Sequence, residues 1–100
     1  MAKEVVITKL AIDDYDIVVG YLTGKWGINV ANNFMDRFDE VVLLISKNTS
    51  IFPFVDPIKK MQKCVLTKHN MLYFIEKDEI IEIVTIFDTR QDPQKLTNII

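Results

Sequence analysis

The rhythm of apolar and polar positions changes along the chain, and each change marks an element. Val5, Val6 and Ile7 form a short apolar run behind Glu4, which predicts a first strand over 4–7. Leu10 to Leu22 then carries Ile12, Tyr15, Val18, Val19 and Leu22 at the spacing of a helix face, with Thr8 placed as its N-cap. Gly20 lowers helix propensity by about 1 kcal/mol relative to alanine, so it reads as a point of close helix packing. Gly24 reads as the C′ residue that ends the helix. Gly24-Lys25-Trp26-Gly27 is then a tight connection into a second helix over 28–47. Val30, Phe34, Phe38, Val41 and Ile45 fall on one stripe of that helix, and Asn33, Asp36, Arg37 and Glu40 are expected to face away. Helices joined so closely must be antiparallel neighbours.

Residues 48–57 read as a loop, because Pro53 and Pro57 exclude helix and regular strand. Ile51, Phe52 and Phe54 are expected to tuck back against the core. The pattern then changes to strand-like runs at Met61–Thr67, Met71–Glu76 and Glu79–Phe87, broken by Lys68-His69-Asn70 and Lys77-Asp78. Aromatic and β-branched runs joined by turns this short predict an antiparallel meander. The last two runs are apolar on both parities, so they should be central strands covered on both faces, or on one face by a partner. The tail over 94–100 is apolar at its end and should be docked or partner-bound. Strand, helix, helix and three strands make an α+β fold, a helical hairpin on a four-stranded antiparallel sheet in the order β-α-α-β-β-β.

Composition narrows the class. A chain of 100 residues makes one domain, 1–100. Its hydrophobic share of 49% is high, yet no apolar run approaches the ~18 residues of a membrane span. There is no signal-peptide pattern, so the apolar excess points to a partner interface and the expected compartment is the cytoplasm. The lone Cys64 excludes an internal disulfide and reads as an inert buried thiol. The lone His69 excludes a multi-histidine metal site. No phosphate-cradling glycine loop, paired-carboxylate motif or triad serine stands out, and no cofactor is implied. A net charge of -2 argues against a general nucleic-acid binder. Locally, however, 59–69 gathers Lys59, Lys60, Lys63, Lys68 and His69 with no acid. That run is either a solvated edge that discourages strand pairing or an anionic contact.

Tyr21-Leu22 leading through Trp26-Gly27, the Leu72-Tyr73-Phe74 strand and the closing Phe87-Asp88-Thr89-Arg90-Gln91-Asp92-Pro93 carry a resemblance. In this order, over nearly the whole chain, they resemble the RelE/ParE superfamily. These are the toxins of type II toxin–antitoxin modules, often labelled plasmid stabilisation proteins. The resemblance implies a cognate antitoxin as partner and one of two activities.

RelE-like members cleave mRNA in the ribosomal A site. That chemistry activates a ribose 2′-hydroxyl, so it needs cations for the phosphorane and a proton donor for the leaving group. The resemblance puts Arg90 at the arginine position after the last strand and Lys63 at the basic position on the first meander strand, with His69 as a further candidate. Asn70 stands where an arginine is common, and Leu96 and Thr97 stand near the usual tyrosine. ParE-like members inhibit DNA gyrase by binding. Here Arg90-Gln91-Asp92-Pro93 fits their closing motif, while Asp88 replaces a histidine. The chain departs less from the ParE pattern, so the expected function is an antitoxin-neutralised gyrase inhibitor. A ribosome-dependent mRNA endonuclease and a non-toxic degenerate member are the alternatives. Independently of function, Arg90 is placed to pair with Asp88 or Asp92 and pin the tail.

Overall fold

The computed structural model describes residues 2–100. In chain order these form β1 (Glu4–Ile7), α1 (Lys9–Trp26), α2 (Ile28–Lys47), a 3-10 turn (Thr49–Ile51), β2 (Phe54–Asp56), β3 (Met61–Thr67), β4 (Asn70–Glu76), β5 (Ile80–Asp88) and α3 (Pro93–Ile99). The meander and both long helices lie where the sequence pattern places them. The Thr8 hydroxyl caps α1 by accepting from Ala11 N at 3.1 Å, and it donates to Val84 O at 2.7 Å, tying the helix start to β5.

The sheet differs from the expected one. It has five strands in the order β1-β5-β4-β3-β2, and β1 pairs with β5 in parallel, so the sheet is mixed. Strands joined by short turns must run antiparallel, as β3, β4 and β5 do. No such turn governs β1: the helical hairpin and most of the meander separate it from β5, so its direction is free. The fifth strand, β2, lies inside the expected loop. Its Phe54 pairs with Gln62, but Asp56 shifts to Met61, a break in register between Pro53 and Pro57 that keeps this edge strand to three residues. The tail is also not a plain extension. Asp92 caps α3 by accepting from Gln94 N at 2.9 Å, with Pro93 at the first helical position.

Several local expectations are corrected as well. Helix α1 continues past Gly24 to Trp26, and it is Gly27, at φ 94°, that takes the positive-φ turn and donates its N–H to Leu22 O and Thr23 O, each at 3.1 Å. Gly20 is exposed with open space where a Cβ would sit, so it permits no close packing. Ile51 and Phe54 do not tuck in; they are 63% and 56% exposed, and only Phe52 turns inward, edge-on to Phe74 at 5.7 Å. Ile12 and Val30 fall at the exposed margins of their helical stripes. Arg37 does not face away. Its guanidinium donates to Leu66 O at 3.0 Å and Val65 O at 3.4 Å, capping the end of β3 from α2.

The core lies between the hairpin and one face of the sheet. Ala11, Phe34, Phe38, Val41 and Ile45 pack against Cys64, Leu66, Leu72, Phe74, Ile81 and Ile83. Tyr15 fills the seam, with ring centres 5.6 Å from Phe34 and 4.9 Å from Phe38. Burial raises the pKa of the Tyr15 hydroxyl, reinforced by the acids of the helices, and burial also raises that of the Cys64 thiol, against the opposing pull of Arg37. Cys64 is therefore a poor thiolate, as its strand position suggests. On the opposite face of the sheet a second cluster forms from Met61, Tyr73 and Phe87, joined by Met71, Ile75 and Val84. Leu96 and Ile100 of the tail cover it. The double-sided apolar pattern of β4 and β5 is thus satisfied by the hairpin on one face and the chain's own tail on the other.

Candidate functional site

Where the hairpin turns, it leaves the sheet uncovered at the end that bears the β3–β4 turn. A groove of about 710 Å³ opens there. Its floor is apolar, from Val18 and Leu22 of α1, Phe34 of α2 and Ile86 of β5. Its walls carry Tyr21, Lys25 and Trp26 on one side and Lys68, His69 and Arg90 on the other. The aromatic wall is organised by Lys25, whose Nζ sits 5.5 Å from the Tyr21 ring centre and 5.6 Å from that of Trp26. Such a contact is weak at an exposed site, but it holds a cation beside two exposed aromatic faces.

Two acids reach this groove, and both are already engaged. Asp14 accepts from Thr85 Oγ1 at 2.5 Å and from Ile86 N at 3.1 Å. Asp88 accepts from its own neighbour: Arg90 donates through Nε at 3.0 Å, Nη2 at 2.7 Å and its backbone N at 2.9 Å. The fork holds the Asp88 carboxyl below the usual carboxylate range and raises the Arg90 guanidinium. The guanidinium fork thus closes on the neighbouring carboxylate within this turn while staying exposed to solvent. Tail pinning is not what the pair does; it closes the turn after β5, where Thr89 N also donates to His69 O at 2.9 Å.

Of the three candidate site residues, the groove brings together His69 and Arg90. Lys63 lies elsewhere. It shares the strand parity of Met61 on β3 and pairs in register with Tyr73, which places it on the sheet face opposite the hairpin, beside the cluster that the tail covers. Its outward face and its place near the start of β3 separate it from the other two, which lie in turns at the sheet's end.

The groove's own residues were only partly legible in the sequence. Tyr21 and Trp26 stand out as part of a family pattern, but a helical stripe argument assigns aromatics to the core. The available signal was that Ile17, Tyr21 and Trp26 fall off the stripe of Tyr15, Val18 and Leu22; they are indeed 69%, 49% and 61% exposed. Tyr73 belongs to the apolar Leu72-Tyr73-Phe74 run, whose parity alone does not say which face it takes. It is buried, but on the outer face, and burial raises its hydroxyl pKa. Among the described residues no group of His, Cys, Asp and Glu side chains could hold a metal ion, and no helix is long and apolar enough to cross a membrane.

The model of a protein family described as the ParE toxin of the type II toxin–antitoxin system parDE matches residues 5–93. No curated protein gives a significant match. Among solved structures, the chain is similar to one described as the chromosomal ParDE TA system from P. aeruginosa, with TM-score 0.74 and 16% identity, covering 87% of this chain and 96% of that one. It is also similar to the YoeB dimer from Staphylococcus aureus, with TM-score 0.62 and 12% identity over 87% of this chain and 97% of that one. A structure described as the YoeB/ParE toxin from Agrobacterium tumefaciens gives TM-score 0.58 at 9% identity, covering 85% and 97%. At these identities the structural likenesses show a shared fold.

Proposed function

This chain belongs to the ParE toxin family of type II toxin–antitoxin systems, and on that premise we propose that it acts as a gyrase inhibitor by binding. Membership of the family implies a cognate antitoxin as partner. The observation that favours binding over cleavage is the separation of the candidate cations. Lys63 is on the outer sheet face, His69 and Arg90 are at the groove, and the Arg90 charge is paired with Asp88. Phosphoryl transfer needs positive charge converging on one phosphate with a proton donor in reach. A binding protein needs only a shaped surface, and the groove supplies one.

One feature supports the second reading, a ribosome-dependent mRNA endonuclease. Lys63 and Tyr73 are directly paired across β3 and β4, which sets a cation beside a phenol on one sheet face. In this chain the tail lies over that phenol, so it would have to leave before Tyr73 could give up a proton.

Supercoiling by purified gyrase and cleavage of mRNA on purified ribosomes, run with the same protein, separate the two. A binder inhibits supercoiling in the absence of ribosomes, and Lys63→Ala and His69→Ala leave the fold intact and change that inhibition little, as rim charges usually do. Ribosome-dependent cleavage that falls on the order of 10²-fold in Lys63→Ala, with gyrase still active, overturns the proposal in favour of the nuclease. Inactivity in both assays with antitoxin binding retained leaves the degenerate member.

A further inference from the structure

We propose that residues 93–100 form an autoinhibitory strap, which shuts the outer face of the sheet against the target until it lifts. The proposal rests on the gyrase-inhibitor reading for the identity of the target, and it adds a second contact face to the groove.

The sheet has two apolar faces, and the hairpin covers one. The other gathers Met61 of β3, Met71, Tyr73 and Ile75 of β4, and Val84 and Phe87 of β5. A surface rich in tyrosine, phenylalanine and methionine has the composition of a protein contact, not of a solvated sheet face. The strap is too small for it. Helix α3 spans seven residues, none of them fully buried, and it covers this face with Leu96 and, past its end, Ile100. Val65 shares the parity of Met61 and pairs with Met71, yet it stays 57% exposed. Val6 of β1, paired with Glu82, stays 39% exposed on the same face. The apolar surface thus runs on past its cover in two directions, as far as a larger partner would need.

The strap is also poised to lift. A helix of seven residues does not persist alone, so α3 exists only while it is docked. Its ties are few: Leu96, Ile100, and the hydrogen bond from Lys59 Nζ to Ile100 O. Its hinge lies at the groove, because Asp88, Arg90 and Gln91 line that opening and α3 begins at Pro93. A target seated at the groove stands next to the hinge, where it competes with the strap for the adjoining face. The family model matches residues 5–93 and ends where α3 begins, so the cover lies beyond the matched stretch. A target that needs the whole face binds only those chains whose strap is open, and its apparent affinity is reduced by that fraction. Whatever loosens the strap therefore strengthens inhibition, and whatever tightens it weakens inhibition.

The test follows inhibition of supercoiling by purified gyrase, with amide exchange over 93–100 as the record of the strap. Leu96→Ala with Ile100→Ala loosens the strap from outside the main core, so the chain stays folded. Exchange over 93–100 should quicken, and half-inhibition should need about tenfold less protein. Thr97→Ala with Asn98→Ala, at exposed positions of α3, replaces two weak helix formers by the strongest. That pair should act in the opposite direction, slowing exchange and weakening inhibition about threefold. Inhibition that is unchanged or weaker in the loosened chain, although its tail exchanges faster, overturns the strap and leaves the gyrase reading intact. Unaltered exchange in both variants also overturns it, because other contacts then hold the tail. Absence of inhibition by the wild type and by both variants overturns the gyrase reading and the proposal with it. Ribosome-dependent mRNA cleavage that rises in the loosened chain, with supercoiling untouched, passes the face to the nuclease reading and likewise overturns the proposal.

Discussion

Asp14 on α1 and Thr85 on β5 are 71 positions apart in sequence, yet the Thr85 hydroxyl donates to the Asp14 carboxylate at 2.5 Å. The same oxygen takes the Ile86 backbone N–H at 3.1 Å. Adjacent to it, β4 and β5 shift register between Tyr73 and Phe74, so Thr85 sits where the regular ladder is interrupted. One side chain of the first helix thus satisfies backbone and hydroxyl groups that the sheet leaves free. Replacing Asp14 by alanine strands a part-buried N–H and hydroxyl, so unfolding free energy should fall by about 1–3 kcal/mol in urea titration. Asp14→Asn keeps an acceptor and should lose less. Equal losses in the two variants would show that charge, and not the acceptor geometry, carries the effect.

Lys60 ends the turn after β2 with φ 59°, a conformation that favours glycine. Lys60→Gly should therefore raise the unfolding midpoint, through relief of about 1 kcal/mol of backbone strain, partly offset by the greater freedom of glycine in the unfolded chain. A lowered midpoint would mean that the lysine side chain contributes more than its backbone costs.

The tail is a separable cover. Helix α3 spans seven residues, too few to persist alone, and it holds to the sheet through Leu96, Ile100 and a hydrogen bond from Lys59 Nζ to Ile100 O. Leu96→Ala should leave the global urea midpoint nearly unchanged but speed amide exchange across 93–100, because that segment opens without the core. Tyr73 and Phe87 beneath it should then become accessible to an apolar dye. Unaltered exchange in the tail would show that other contacts hold it.

Acid should destabilise the end of the central strand β4 through Glu76. It accepts from Thr49 Oγ1 at 2.7 Å and pairs with Lys3 Nζ at 3.1 Å, contacts that hold its carboxyl below its ordinary 4.5. Because the folded value is depressed, this stabilisation is present above pH 4.5 and is lost as pH falls below it, through the lowered folded value. Asp88 acts in the same direction, from its ordinary 3.8 downward, through Arg90. Urea midpoints measured from pH 7 to 3 should fall at the acid end, and Glu76→Gln should flatten part of that fall.

Much of this architecture was legible residue by residue. The meander over β3–β5, the bounds of α2 and the Thr8 cap follow from local periodicity and capping chemistry, which act over a few neighbouring positions. Such signals are written in consecutive residues, and the structure keeps them. Three features needed the third dimension. The direction of β1 is set by a partner, β5, that lies most of the chain away, with no connecting turn to impose it. The short β2 forms between two prolines because the neighbouring edge of β3 offers it hydrogen bonds, including Lys63 N to Pro53 O at 3.1 Å, which no local propensity reveals. The candidate site divides because a pleated strand alternates its faces. Lys63 points to the tail side, while His69 and Arg90 lie in turns at the sheet's end and close on the groove. Sequence order lists the three cations as if they could meet. Strand parity and the folding of Arg90 onto Asp88 keep them apart.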